Sequence, residues 1–119
     1  MGKRILIIED DLDLLEALKI EAEDLGYDVV AKSNASDAVA NYMDNEYDIV
    51  STDFDLGRQN GVVLTKALKA IDPSPKFIML TGHGLSKQAD FEAAGGDICI
   101  DKMELKDWIE AITIEEAVS

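Results

Sequence analysis

The stretch YDIVSTDFDLGRQNG, residues 47–61, decides the fold. Asp48 to Thr52 reads as a short strand that stops at Asp53. A polar, glycine-bearing loop covers 54–60. It leads into a helical pattern from Val62 to Ile71, with Val63, Leu64, Ala67 and Leu68 facing inward and Pro73 and Pro75 ending it. The same order of elements repeats on both sides of this stretch. Upstream, RILII (4–8) is a continuous apolar run of the kind buried on both faces of a sheet, and it breaks into Glu9-Asp10-Asp11. Leu12 to Leu25 follows as a helix, with Leu15, Leu18, Ala22 and Leu25 on one side, Asp11 as its N-cap and Gly26 as its stop. Next come a strand over Tyr27–Ala31 and a helix over Ser36–Asn45, whose apolar side is Ala35 or Ala38, Val39 and Tyr42. Downstream, the strand Lys76–Leu80 closes on Thr81-Gly82, and a weak helix over Leu85–Ala94 ends at Gly95-Gly96. The strand Asp97–Ile100 runs into Asp101-Lys102, and a last helix runs from Leu105 to about Ala117 with Leu105, Trp108, Ile109 and Ile112 on one face.

Five strands alternating with five helices call for parallel pairing with helical crossovers on both faces. The expected fold class is α/β: a doubly wound five-stranded parallel sheet in the flavodoxin-like order 2-1-3-4-5, in a three-layer sandwich. One domain over 1–119 accounts for the chain, with no linker or repeat.

Composition narrows the function. With 25 acidic and 11 basic residues the formal charge is −14, the wrong sign for nucleic-acid binding. No apolar run reaches the roughly 18–20 residues that cross a bilayer. The apolar run after Lys3 and Arg4 is too short for a signal peptide. Cys99 is the only cysteine, so no internal disulfide forms, and a cytoplasmic location is expected.

Open parallel sheets bind ligands beyond the carboxyl ends of their strands. In the order 2-1-3-4-5 the first and third strands are neighbours, which brings Glu9, Asp10 and Asp11 to the same crevice as Asp53 and Asp55. Carboxylates gathered in this way need a counter-charge. Mg²⁺ suits them, because it takes oxygen ligands and keeps several waters, so Asp10 and Asp53 suffice. Thr81 and Lys102 follow the next two strands. Metal, hydroxyl and ammonium together form a receptor for the three oxygens of a phosphoryl group, and the central carboxylate can itself be the nucleophile.

These residues carry a resemblance. RILIIEDD (4–11), YDIVSTDFDLGRQNG (47–61), FIMLTG (77–82) and GGDICIDK (95–102), in this order and at these strand ends, resemble the receiver domain of two-component response regulators over essentially the whole chain. The resemblance implies that Asp53 is the phosphoacceptor and that Asp10 binds Mg²⁺ (or Mn²⁺) directly. It implies that Glu9 acts on the metal through water and that Asp55 contributes its backbone carbonyl. Thr81 would be the switch hydroxyl and Lys102 the lysine that contacts the phosphoryl group. Gly61, eight residues after Asp53, matches the loop glycine. The implied phosphodonor is a sensor histidine kinase or a histidine phosphotransfer domain. The implied output is a changed surface on the fourth helix, fifth strand and fifth helix, with homodimer formation on phosphorylation as one form of it. Such a domain is not a conventional enzyme; it catalyses its own phosphotransfer and dephosphorylation.

The sequence departs from that pattern in four places. Met103 replaces the proline that normally follows the lysine, so a trans bond with a shifted loop, or a compensating contact, is expected. Cys99 stands where many members carry an aromatic switch residue. Gly57 replaces a proline, which predicts a looser loop after Asp53. Lys102 lies 21 residues after Thr81, about one fewer than is common.

Asp11 reads as a cap rather than a ligand, Cys99 as a partly buried packing residue, and Trp108 as core. Gly82 and His83 lie at the crevice rim, where His83 is an exposed loop residue or a modulator of hydrolysis. Two other functions remain open. One is a degenerate receiver that binds proteins independently of phosphorylation. The other is a small Mg-dependent phosphatase, suggested by a second aspartate, Asp55, two residues after Asp53. A flavodoxin-type role lacks a phosphate loop after the first strand. With no output domain after residue 119, the chain is expected to be either a lone receiver acting through protein contacts or a piece of a longer regulator.

Overall fold

The computed structural model describes residues 3–113. Five parallel strands form the central sheet: β1 (Arg4–Ile8), β2 (Asp28–Lys32), β3 (Ile49–Asp53), β6 (Lys76–Thr81) and β7 (Ile98–Asp101), in the order β2-β1-β3-β6-β7. That is the expected 2-1-3-4-5 order once the two-residue strands β4 (Asp55–Leu56) and β5 (Gln59–Asn60) are set aside. The helices are α1 (Leu12–Asp24), α2 (Ala35–Tyr42), α3 (Gly61–Ile71), α4 (Gln88–Ala93) and α5 (Leu105–Ile112).

Alternation along the strands divides the core in two, because successive side chains leave a strand on opposite faces. Leu6, Ile8, Val50, Phe77 and Met79 pack with Ala38 and Tyr42 of α2, Leu64 and Leu68 of α3, and Phe91 of α4. Ile5, Ile7, Ile49, Ile78, Leu80 and Ile100 pack with Leu15, Leu18 and Ala22 of α1 and with Trp108 and Ile112 of α5. Trp108 is core, as expected, and its buried indole N–H donates to Ser51 Oγ at 2.8 Å.

Several expectations need correction. The second strand lies one residue later than expected, and α2 ends at Tyr42 rather than Asn45. Val63 and Ala67 of α3 are exposed; Thr65 is buried instead, its hydroxyl donating to Gly61 O at 2.7 Å. α4 starts at Gln88 rather than Leu85, since bends and turns occupy 82–87. The last helix ends at Ile112, and the expected continuation over 114–117 lies outside the described residues. The loop after Asp53 carries secondary structure of its own. β4 and β5 pair as a hairpin around Gly57-Arg58, with Gly57 at φ 71°, a left-handed value that favours glycine.

Among the described residues no peptide bond is cis, so Lys102–Met103 is trans. Asp101 braces the turn that follows: its Oδ1 accepts from Met103 N at 2.9 Å and its carbonyl accepts from Glu104 N at 2.8 Å. No helix among the described residues is long and apolar enough to cross a membrane.

Candidate functional site

The sheet register brings the polar strand ends together. Ile8 pairs with Thr52, Asp53 with Leu80 and Thr81 with Asp101, so the residues that follow emerge at one edge. Glu9, Asp10 and Asp53 offer carboxylate oxygens that all lie within 4.8 Å of one another. Glu9 and Asp53 are buried, at 0% and 1% exposure, whereas Asp10 is exposed. Lys102 reaches in from beyond β7, with Nζ 2.8 Å from Asp53 Oδ2 and 3.4 Å from Glu9 Oε1.

Three carboxylates face one ammonium, and the buried ones are held off their ordinary acidity. Burial, followed by the hydrogen bond with Asp53, pushes Glu9 up to about 8. Burial raises Asp53 as well, against the opposing hydrogen bond from Lys102. For Lys102, burial works to lower the pKa, but the hydrogen bond and charge of Asp53, together with Glu9, outweigh it and raise the ammonium. Glu9 Oε2 accepts from Asp11 N at 3.1 Å, while the buried Oε1 makes no hydrogen bond and has the Lys102 ammonium 3.4 Å away. A divalent cation with oxygen ligands would relieve the excess charge on this cluster, so the donor set fits Mg²⁺.

The other anticipated residues are distributed around this cluster. Asp55 N donates to Asp53 Oδ1 at 3.3 Å, while the Asp55 carboxylate turns away to His83 Nε2 at 3.1 Å. That orientation does not give the converging aspartate pair a phosphatase of the type considered would use. Thr81 is buried at the end of β6; its Oγ1 accepts from His83 N at 3.0 Å, and its carbonyl accepts from Lys102 N at 2.9 Å. Asp11 is the α1 cap, accepting from Asp13 N and Leu14 N. Gly82 stands in open space. Cys99 is half-buried, and burial with nearby Glu92 pushes its thiol up, away from thiolate reactivity.

Gly61 has a steric reason: a Cβ there would lie 2.5 Å from Asp53 O and 3.0 Å from Met79 Sδ. The sequence reading gave no role to Ser51, the partner of Trp108, or to Phe54, whose ring meets His83 edge-on with centroids 5.3 Å apart. No periodicity flags either residue; only Phe54 is adjacent to Asp53.

The family model for the response regulator receiver domain matches residues 5–113. The chain is 34% identical over 85 residues to the chemotaxis protein CheY of Thermotoga maritima, covering 71% of each. It is 27% identical over 115 residues to CheY of Bacillus subtilis, covering 94% of this chain and 96% of that one. A response regulator from Burkholderia pseudomallei, crystallised with a phosphorylated aspartic acid, a calcium ion and citrate, superposes with a TM-score of 0.86. The match covers 96% of this chain and 68% of that one at 23% identity, a likeness of fold. A match of this extent, on a sheet of this strand order with its acids at these strand ends, settles the family: the chain belongs to the response regulator receiver domains.

Proposed function

We propose that this domain accepts a phosphoryl group on Asp53 from a phosphohistidine of a sensor histidine kinase or histidine phosphotransfer domain, and later loses it to water. The observation that carries the reading is the pairing of buried Asp53 with Lys102 at 2.8 Å inside a carboxylate cluster spanning 4.8 Å. Asp10, Asp53 and the Asp55 carbonyl would hold Mg²⁺ (or Mn²⁺), with Glu9 acting through water. Bound there, the cation offsets charge on the carboxylates and on the incoming phosphoryl oxygens.

The chain's own residues do the rest. An Asp53 oxygen attacks phosphorus; the new O–P bond forms as the P–N bond breaks, and the imidazole nitrogen keeps the electron pair. Lys102 covers Asp53 Oδ2 in the resting arrangement, so the donor draws its ammonium from that oxygen to a phosphoryl oxygen. The Thr81 hydroxyl serves a second phosphoryl oxygen. In the reverse half, water attacks phosphorus and the Asp53 carboxylate leaves. The signal goes to a protein partner, or to a second copy of the domain, through the face of α4, β7 and α5; the acidic surface argues against nucleic acid.

Incubation with Mg²⁺ and acetyl phosphate is expected to add one phosphoryl group to the wild-type domain and none to Asp53→Asn, read by intact-mass spectrometry. Undiminished labelling of the variant would overturn the assignment.

A further inference from the structure

Phe54 follows Asp53 directly, and the phosphoryl chemistry makes no use of its side chain. Its backbone is pinned: its N–H donates to Leu80 O and its carbonyl accepts from Gly61 N, both at 2.8 Å. Its half-buried ring packs at the edge of the core beneath α2, α3 and α4. Two groups from the segment that joins β6 to α4 rest on that ring. His83 meets it edge-on at an interplanar angle of 81°, and Lys87 places Nζ 5.2 Å from its centroid. His83 is tied to the site twice more: its ring Nε2 lies 3.1 Å from Asp55 Oδ2, and its backbone N–H donates to Thr81 Oγ1 at 3.0 Å. Residues 53–55 and 81–87 are thus closed on one another by side chains.

The position of Lys87 needs a reason. It immediately precedes α4, where the positive end of the helix dipole disfavours a cation and where a serine, aspartate or asparagine would supply a cap. Lys87 makes no capping hydrogen bond. The Phe54 ring is what the position offers a cation, since the negative face of an aromatic attracts an ammonium. Meanwhile β7 carries Cys99, which has no ring with which to report on the crevice.

We propose that Phe54 is a positioning residue that couples the state of Asp53 to segment 82–87 and α4, supplying aromatic coupling that Cys99 cannot. This rests on Asp53 being the phosphoacceptor. A phosphoryl group there engages the Thr81 hydroxyl. His83, bonded to that hydroxyl and set against Phe54, moves with it, and the ring passes the displacement to Lys87 at the head of α4. The link is a chain of packed contacts from His83 through the Phe54 ring to Lys87.

The test titrates beryllofluoride and Mg²⁺ into wild type, Phe54→Leu, Phe54→Tyr and Lys87→Gln, followed by amide NMR. All four are expected to bind the mimic within about threefold of one another, because none of these side chains touches the acidic cluster. Shift changes over 82–93 are expected in wild type and Phe54→Tyr, and to fall by about half or more in Phe54→Leu and Lys87→Gln. An undiminished response in both weakened variants overturns the proposal, as does a saturated wild type whose 82–93 amides stay still. Failure of wild type to bind the mimic at all would instead overturn the phosphoacceptor reading, and this inference with it. Lys87→Gln, at the surface, carries the comparison if Phe54→Leu does not fold.

Discussion

Helices α1 and α4 both begin where a strand delivers polar residues to the crevice, yet they are built to different standards. α1 has 13 residues, a cap at Asp11 that takes two backbone N–H groups, three buried side chains and Gly26 at φ 96° to end it. α4 has six residues, no side-chain cap and one buried side chain, Phe91. A helix that short has almost no stability of its own and depends on its packing. The difference assigns separate tasks to the two sides. The β1–α1 side must keep Glu9 and Asp10 at fixed distances from Asp53 while they repel one another. The β6–α4 side has fewer anchors, the trait of segments with low local stability.

The contrast can be broken by substitution. The largest effect is expected at Gly61, where alanine would drive Cβ into the Asp53 carbonyl at 2.5 Å and disturb the backbone of the residue that both sides face. Gly61→Ala should cost about 1–3 kcal/mol or more, read as a lower urea midpoint. A neutral result would show that the backbone around Asp53 is softer than described.

The next effect is one of pH. Glu9 is held near 8 in the folded protein against an ordinary value of 4.5, so the folded state binds a proton that the unfolded state has released. Its contribution is complete below about 4.5 and is lost as pH rises through about 8. Metal-free stability should therefore decline over that window. Glu9→Gln should flatten the decline, and Mg²⁺ should oppose it by favouring the ionised form. Urea melts across pH with and without Mg²⁺ measure this, and identical slopes in wild type and variant would remove Glu9 from the account.

Asp11→Ala removes the α1 cap, of a kind α4 lacks, and should cost about 1 kcal/mol by the same melts. Smallest of all, Gly82→Ala falls where nothing lies within 4 Å of the added carbon, and should stay within about 0.5 kcal/mol. Comparable losses at positions 11 and 82 would mean that the two sides are not built differently.

Much of the β1–α1 side was legible because its signals are strong and local. RILII has no polar interruption, and its end at Glu9 and the cap at Asp11 are sharp chemical transitions. Alternating strands and helices imply parallel pairing with helices on both faces, and the flavodoxin-like order then gathers Asp10, Asp53 and Lys102 at one edge. The β6–α4 side was read poorly for a physical reason: residues 82–87 are set by contacts with Phe54 and Asp55, distant in sequence, rather than by their own periodicity. Strands of two residues, such as β4 and β5, are too short to show alternation. Val63 and Ala67 look like core by spacing; the exposure of both and the burial of Thr65 depend on how α3 is rotated against the sheet.

Trp108 is the chain's single tryptophan, fully enclosed and bonded to Ser51 of β3. Its ultraviolet emission therefore originates at one known junction, where α5 meets the strand that ends in Asp53. A dissolved quencher reaches that indole only when the final helix lifts from the sheet, so the protein carries its own optical gauge of whether that helix is seated.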